Sequence, residues 1–436
     1  MPAFKKILTT GHLILFGLAY MTPIIVLGTF GVLAQLTDGH AAGAYVLALT
    51  VMLFTSYSYS KMASAFPVSG SAYVYVSKAI NSDMGFIAGW AILLDYLFLP
   101  MVIWLIGAVY LSAAFPAIPQ YIWLLAFIAV TSVINIVGLK IASAVNSLML
   151  LLQLAVLAAF VALAIHYIWG DASRPFWTLQ PFFSDRDNLL PMMMAGAAVA
   201  CYSFLGFDAI TTLAAETIDA KRSIPKAIMF ITLLGGALFI LVAWCVQLAH
   251  PGALFQNSDS AAFEIARNIG GDIFVTLFMF GLVFGQFASG IAAQASASRL
   301  IYTLGIDGVL SIGLGKLGRF TTPTNAILLC SLVALLALGM DITTSTSFIN
   351  FGAFLTFSLV NLSVIFHYYV RNPQRDAKAT LLYLIGPGLG VLVTLLLLIS
   401  LDKTAIIMGS VWLLLGLMRL IYLKRYQRLK QASIGD

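Results

Sequence analysis

Charged residues and cysteines are both scarce in this chain. Only 9% of its 436 residues are Asp, Glu, Lys or Arg, whereas 61% are hydrophobic. Soluble domains carry about 25% charged residues, so this composition excludes a water-soluble globular protein and a disordered chain. The three cysteines, Cys201, Cys245 and Cys330, lie in separate apolar runs without metal-type spacing. We therefore expect them to be small packing residues, and we exclude a disulfide scaffold.

Motifs of enzymatic chemistry are also lacking. The sequence contains neither HExxH nor a GxSxG elbow, and its five histidines are scattered along the chain. These residues are His12, His40, His166, His250 and His367. We therefore expect no enzymatic activity, no metal, no cofactor and no nucleic-acid partner.

Long apolar runs dominate the chain instead. A membrane-spanning helix needs about 20 mostly apolar residues, and twelve segments meet this requirement. They are residues 12–35, 42–66, 84–113, 121–139, 141–169, 190–215, 226–249, 272–298, 323–340, 345–370, 380–401 and 404–423. The sequence thus predicts an all-α integral membrane protein with twelve transmembrane helices. The short basic N-terminus leads into a full-length span, so we expect no cleaved signal peptide.

The basic residues predict how these spans are oriented. With both termini placed in the cytoplasm, nineteen of the 23 Lys and Arg residues fall inside. Only Arg174, Arg186, Arg267 and Lys403 fall outside. Cytoplasmic loops are enriched in Lys and Arg, so this asymmetry supports the count of twelve spans. We therefore expect a multi-pass protein of the cell (inner) membrane with both termini in the cytoplasm.

Two carboxylates lie deep within predicted spans. Asp95 occurs in GWAILLDYLFLP near mid-membrane, and Asp208 occurs in CYSFLGFDAITT. Ionisable residues inside a bilayer are costly and are functional by default. No Lys or Arg occurs at similar depth, so each carboxyl group has two options. It is either protonated and hydrogen-bonded to the backbone of a neighbouring helix, or it binds a cation from solution. This pattern is typical of a carrier for cations or one coupled to protons.

Two spans carry helix-breaking residues at mid-depth. The first has Pro23 between Gly17 and Gly28, and the sixth has Gly206 directly before Phe207 and Asp208. Interrupted helices survive in a membrane only where they line a cavity. Interrupted first and sixth spans are typical of transporters built from inverted repeats.

Several segments resemble the amino acid–polyamine–organocation superfamily. They are FPVSGSAYVYV at 66–76, AAETIDAKRSIPKAI at 214–228, where Pro225 is expected to start the seventh helix, and ASASRLIYTLGIDGVL at 295–310. Within that superfamily the chain is most similar to bacterial putrescine importers, through GLAYMTPIIVLGTFG, GWAILLDYLFLP, YSFLGFDAITTL and INFGAFLTFSLVNLSV. Ser311 and the Ser-Gly-Ser at 69–71 depart from the common pattern.

The resemblance implies a fold and a domain organisation. We expect a leucine-transporter-like core of five plus five inverted helices at 1–370, with broken first and sixth helices. Two additional transmembrane helices follow at 371–424, and a basic cytoplasmic tail at 425–436. The implied activity is secondary import of an amine or amino acid, driven by protons in the putrescine branch.

The resemblance also implies the substrate site. The sixth helix would contribute an aromatic and an acid, here Tyr202 and Asp208, with Phe204 and Phe207 between them. The broken first helix would contribute contacts from Tyr20, Met21, Thr22, Pro23 and Ile24. A lysine that fills a cation site in some amino-acid carriers corresponds to Gln153, so a fixed positive charge is absent there.

Two buried carboxylates favour a diamine. Putrescine would place one ammonium on Asp208, the other on backbone carbonyls or Asp95, and its stem against Tyr202 and Phe207. Asp95 is alternatively the proton carrier, and Glu216 is a second candidate for proton coupling. An amino-acid importer or exchanger of the same fold stays open, because the amides of broken helices can bind a carboxylate. Tyr73 and Tyr75 are interpreted as interface anchors, and the oligomeric state is left open.

Overall fold

The computed structural model describes residues 6–68, 71–138, 143–170, 178–184, 188–306, 310–371 and 376–432. Within these ranges every regular element is a helix, and the one β-bridge joins Leu8 to Thr217. Five of the basic residues used for the orientation lie outside them: Lys5, Lys140, Arg174, Arg186 and Arg375. Parts of the motifs at 66–76 and 295–310 and of the tail at 425–436 also lie outside the described residues.

The described residues in the first half of the chain form nine α-helices. They are α1 Thr10–Met21, α2 Ile25–Gly28, α3 Phe30–Leu36, α4 Ala41–Ala65, α5 Ser71–Ala79, α6 Ser82–Ala114, α7 Gln120–Val137, α8 Ser143–Trp169 and α9 Leu189–Ala200. The gap between the spans predicted at 84–113 and 121–139 lies between α6 and α7, where Pro119 caps α7. The short helix α5, between the second and third spans, was not anticipated because its sequence is neither long nor strongly apolar.

Two 3₁₀ segments, Cys201–Phe204 and Ala209–Glu216, follow α9. The remaining α-helices are α10 Ala220–Ala249, α11 Ala261–Ile306, α12 Thr324–Ala334, α13 Ile342–Val364, α14 Ala377–Thr380, α15 Gly386–Ile399 and α16 Lys403–Ala432. A non-helical Gly271 divides α11 where the eighth span was predicted to begin. Pro225 does not start the seventh helix as predicted, because α10 begins five residues earlier, at Ala220.

Among the described residues, eleven helical segments are long and apolar enough to cross a membrane. The predicted ninth span corresponds to the shorter Thr324–Gly339, which combines α12 with a 3₁₀ turn. The protein is therefore an all-α, multi-span membrane protein, and the exact count of twelve stays a prediction. The helix α6, which carries Asp95, is almost entirely buried and packs along α11 and α13.

The first and sixth spans are both interrupted. The helix α1 ends at Met21, and the chain turns through Thr22, a non-glycine residue with φ of 51°. In the sixth span α9 gives way to 3₁₀ turns around Gly206, which has φ of +112°. Interruption frees backbone groups that must find other partners. The Tyr110 hydroxyl donates to the Leu27 carbonyl at 2.8 Å, and the Asn350 amide donates to the Ala198 carbonyl at 2.7 Å.

The last helix is fixed against the third span. The indole N–H of Trp90 donates to the Trp412 carbonyl at 2.9 Å, and that of Trp412 donates to the Trp90 carbonyl at 3.0 Å. Lys424 pairs with Asp83 at the start of α6. These contacts join the predicted additional helices to the predicted core, and the domain boundaries stay a prediction.

Candidate substrate site

Asp95 and Asp208 lie close enough to interact electrostatically inside the helix bundle. Asp95 is 4% exposed and Asp208 is 2% exposed, so neither carboxyl points toward the surrounding lipid. Among the described residues, no Lys, Arg or His forms an ion pair with either aspartate. The two acids thus share a buried space, and no basic residue in the described part of the chain pairs with either of them.

The interrupted sixth span places Asp208. Its carboxyl group lies against the backbone amides of Gly206, Asp208 and Ala209 in the break. One oxygen, Oδ2, nevertheless has no hydrogen-bond partner, and the same holds for Oδ1 of Asp95. Each aspartate therefore presents a free acceptor atom to its shared surroundings.

Two tyrosines predicted for the site face these acids. Tyr20, at the end of α1, interacts electrostatically with Asp95, Asp208 and Tyr202, and Tyr202 interacts with Asp95. The ring of Tyr20 also covers Gly206. The two interrupted spans therefore meet at this pair of tyrosines.

Three further tyrosines face the acids, and sequence reasoning missed all of them. Tyr59 of α4 and Tyr96 of α6 interact with both aspartates, and Tyr75 of α5 interacts with Asp208. Tyr75 is 1% exposed, so its interpretation as an interface anchor was wrong, whereas Tyr73 is 51% exposed. The hydroxyl groups of Tyr59 and Tyr96 are buried and have no hydrogen-bond partner.

A small cavity lies beside Tyr20 and Tyr202. Ten residues line it: Tyr20, Met21, Thr22, Ile25, Leu99, Ile103, Tyr202, Leu205, Gln286 and Ser289. The Thr22 hydroxyl donates to Ser289 Oγ at 2.9 Å, which ties the turn after α1 to α11. The cavity volume is about 20 Å³, enough for roughly one water molecule. A diamine would therefore fit only after the lining side chains move apart.

Gln286 is the unpaired polar group of this cavity. The residue is fully buried, and neither its amide nitrogen nor its carbonyl oxygen has a hydrogen-bond partner. Leaving a buried polar group unsatisfied costs about 1–3 kcal/mol. A polar residue in an apolar span was visible in the sequence, but only the structure shows that it lines the cavity without a partner.

A second cavity shares Tyr20 and Ser289 with the first. Gln153, which the resemblance predicts at the position of a cation-site lysine, lines it together with Phe16 and Met149. The Gln153 side chain is 3% exposed and its carbonyl oxygen has no partner. It therefore provides a neutral polar group at this cavity.

Not every predicted residue lies at the acids or the cavity. Phe204 packs edge-on against Phe239, and Phe207 packs between Tyr59 and Phe357, so both contribute to the core around the site. Met21 and Thr22 line the cavity, whereas Pro23 and Ile24 are buried in the turn and do not.

Glu216 ends the 3₁₀ segment that follows Asp208. Its backbone carbonyl accepts hydrogen bonds from the amides of Ile7 and Leu8, at 2.9 and 3.0 Å. Arg222, a basic residue of the adjoining segment, pairs with Asp219. The geometry thus gives Glu216 an anchoring contact for the N-terminal segment.

Comparison with known proteins identifies the family. The family described as "Amino acid permease" matches residues 11–430, which is nearly the entire chain. This chain belongs to the amino acid permease family. It is 36% identical over 421 residues to the low-affinity putrescine importer PlaP of Escherichia coli (strain K12), covering 95% of this chain and 93% of PlaP.

Two more distant relatives are named for other substrates. The branched-chain amino acid permease BcaP of Bacillus subtilis (strain 168) is 26% identical over 418 residues, covering 89% of this chain and 86% of BcaP. The methylthioribose transporter of the same organism is 23% identical over 361 residues, covering 77% and 75%. The protein is thus a multi-pass permease whose relatives carry amines, amino acids or a sugar derivative.

Proposed function

We propose that the protein imports a small cationic amine, putrescine in particular, across the cell inner membrane by alternating access coupled to protons. The observation that carries this proposal is the buried pair Asp95 and Asp208, which has no described basic neighbour. The similarity to the putrescine importer PlaP over 95% of the chain supports the same substrate class.

Charge balance supports coupling to protons. Moving an unpaired charge out of water costs several kcal/mol, so two buried carboxyl groups favour states in which two positive charges are bound. One proton on one carboxyl group and one ammonium on the other satisfy this requirement together. The amine and the proton would therefore enter the site together from the outside and leave it together on the inside, as import driven by an inward proton gradient requires. We assign the ammonium to Asp208 and the exchangeable proton to Asp95.

The remainder of the diamine would follow Tyr20 and Tyr202 into the cavity. These two tyrosines border both the acids and the cavity, and their rings suit an alkyl stem and an ammonium group. The unpaired carbonyl oxygen of Gln286 provides an acceptor for the second ammonium at the far end. The backbone carbonyls around Thr22 provide additional acceptors.

An amino-acid importer or exchanger of the same family is the second candidate. The similarity to the permease BcaP favours it, and the amide nitrogen of Gln286 could donate to a carboxylate. Two acids in the site oppose it, because they add negative charge near the position of an anionic group.

A substrate panel in membrane vesicles tests the proposal. We expect uptake of radiolabelled putrescine to rise when an inward proton gradient is imposed, and to be blocked by excess unlabelled putrescine. Excess neutral amino acid should not compete. If the amino acid alone competes, the diamine assignment is wrong; if uptake does not respond to the gradient, the proton coupling is wrong.

The Gln286→Leu variant tests the far end of the site. It should weaken inhibition by putrescine about tenfold or more, because a hydrogen bond to a charged group is lost. Inhibition by n-butylamine, which has no second ammonium, should not change. Equal effects on both compounds would contradict this role for Gln286.

The predicted orientation, with both termini in the cytoplasm, needs its own test. Single cysteines introduced at Ser433 and at Asp402 would report the two sides. A membrane-impermeant maleimide should label intact cells at position 402 and only broken cells at position 433. The opposite pattern would reverse the orientation.

A further inference from the structure

The acid pair is surrounded by hydroxyl groups as well as carboxyl groups. Tyr59 is fully buried, and its ring contacts the ring of Phe207, the residue before Asp208, at a centroid distance of 5.5 Å. Tyr96 directly follows Asp95 on α6, and its hydroxyl is also buried. The two tyrosines come from different helices, and each interacts electrostatically with both carboxyl groups.

Four oxygen atoms in this cluster lack a hydrogen-bond partner. They are Asp95 Oδ1, Asp208 Oδ2, Tyr59 Oη and Tyr96 Oη. Buried polar atoms are nearly always paired in folded proteins, and each exception needs an explanation. Four exceptions around one pair of acids indicate a ligand that supplies the missing hydrogen-bond donors.

The chemistry of the four atoms selects the ligand. A primary ammonium group has three N–H donors and no acceptor, and it therefore needs three oxygen acceptors when it leaves water. Carboxylate and hydroxyl oxygens can all accept, and the net charge of the cluster requires a cation. An N-methylated ammonium has fewer donors and would leave more of these four oxygens unpaired than a primary ammonium does.

We propose that Tyr59 and Tyr96 complete, with Asp95 and Asp208, an oxygen cage that selects a primary ammonium group over its N-alkylated forms. This inference rests on the proposed function for the identity of the cargo as an amine. It adds two binding residues, one of them on the second span, and a selection rule for the ammonium group.

The hydroxyl groups are tested by Tyr59→Phe and Tyr96→Phe. Tyr45→Phe is the matched control, because Tyr45 lies on the same helix as Tyr59 but its hydroxyl bonds to Ser203 at 3.0 Å and to Thr29 at 3.3 Å. The inhibition constants of putrescine and of N,N,N′,N′-tetramethylputrescine would be measured in vesicles for each variant. Thermal unfolding of each purified variant would be measured in parallel.

The wild type should bind putrescine more tightly than its tetramethyl form. Tyr59→Phe and Tyr96→Phe should each raise the inhibition constant of putrescine about tenfold or more, and should leave that of the tetramethyl compound nearly unchanged. The preference for putrescine over its tetramethyl form is then lost. Their unfolding temperatures should stay constant or rise, because an unpaired buried hydroxyl is removed. Tyr45→Phe should unfold earlier and keep the wild-type inhibition constants.

Two results would overturn the cage. One is an unchanged inhibition constant for putrescine in both variants. The other is a loss of stability in Tyr59→Phe as large as that in Tyr45→Phe, which would show that the hydroxyl is structural. If the wild type takes up another primary amine but not putrescine, the assignment of putrescine as the substrate is wrong. The cage is then tested by measuring the inhibition constants of that amine and of its N-methylated form in the same variants.

Discussion

The ring of Tyr20 packs against Gly206, so that a Cβ added at position 206 would overlap Tyr20 Cδ1. Tyr20 lies in the last turn of α1, and Gly206 lies in the break of the sixth span. Gly206 also has φ of +112°, a region that residues with a Cβ rarely adopt. This contact therefore joins the two interrupted helices at one point.

Gly206→Ala should abolish most uptake, because the added methyl group must displace Tyr20 from its position between the acids and the cavity. Backbone strain alone would also lower stability, by about 1–2 kcal/mol. Gly252→Ala separates the two effects, since Gly252 has φ of +99° and no neighbour within 4 Å of the new Cβ. Uptake per folded transporter should be lost in Gly206→Ala and retained in Gly252→Ala; equal uptake in both would show that the Tyr20 contact is unimportant.

Asp208→Asn should remove uptake of the cationic substrate while leaving folded protein in the membrane. An amide cannot neutralise an ammonium group, but it keeps the size of the carboxyl group and its contacts with the backbone amides. Vesicle uptake normalised to the amount of folded transporter measures the effect. Transport close to the wild-type rate would contradict the assignment of the ammonium to Asp208.

Asp95→Asn should change how uptake depends on external pH. Asp208, Tyr20, Tyr202, Tyr59 and Tyr96 face this carboxyl group, and no described Lys or Arg does. If Asp95 carries the exchangeable proton, wild-type uptake rises as external pH falls, and the variant loses this response.

The control for Asp95→Asn is Asp83→Asn, which removes a carboxyl group from the exposed start of the same helix. It should keep the wild-type pH response, because Asp83 pairs with Lys424 at that end of the helix and lies outside the acid pair. A variant at position 95 with reduced affinity but a normal pH response would assign Asp95 to the substrate and not to the proton.

Trp412→Phe should lower thermal stability and loosen the position of α6. The variant loses one of two reciprocal hydrogen bonds between the indole groups and the facing carbonyls, worth about 0.5–1.5 kcal/mol. Trp123→Phe is a suitable comparison, because the Trp123 N–H has no hydrogen-bond partner. A smaller loss of stability at 412 than at 123 would contradict the role of the reciprocal pair.

Apolar runs were sufficient to predict most of the helices. Each predicted span corresponds to one or more helical segments, since a run of apolar residues in lipid has few alternatives to helical structure. The interruptions near Pro23 and Gly206 were also visible. The first span is interrupted at Thr22 and not at Pro23 itself. Proline fits the start of a helical segment, whereas the residue that precedes a proline is disfavoured in helical conformation.

The candidate site was only partly visible in the sequence. Asp95 and Asp208 stand out, since carboxyl groups are rare in apolar spans. Tyr59, Tyr75 and Tyr96 do not stand out, because tyrosine is common in spans for packing and at membrane interfaces. Their proximity to the acids depends on how α4, α5 and α6 pack together, and helical periodicity within one span does not contain that information.

Equilibrium binding of radiolabelled putrescine to the purified protein tests the central claim most directly. The wild type should bind putrescine saturably, whereas the double variant Asp95→Asn, Asp208→Asn should remain folded and bind none, because no negative charge is left to hold the cation. Binding of equal affinity in the double variant would contradict the account.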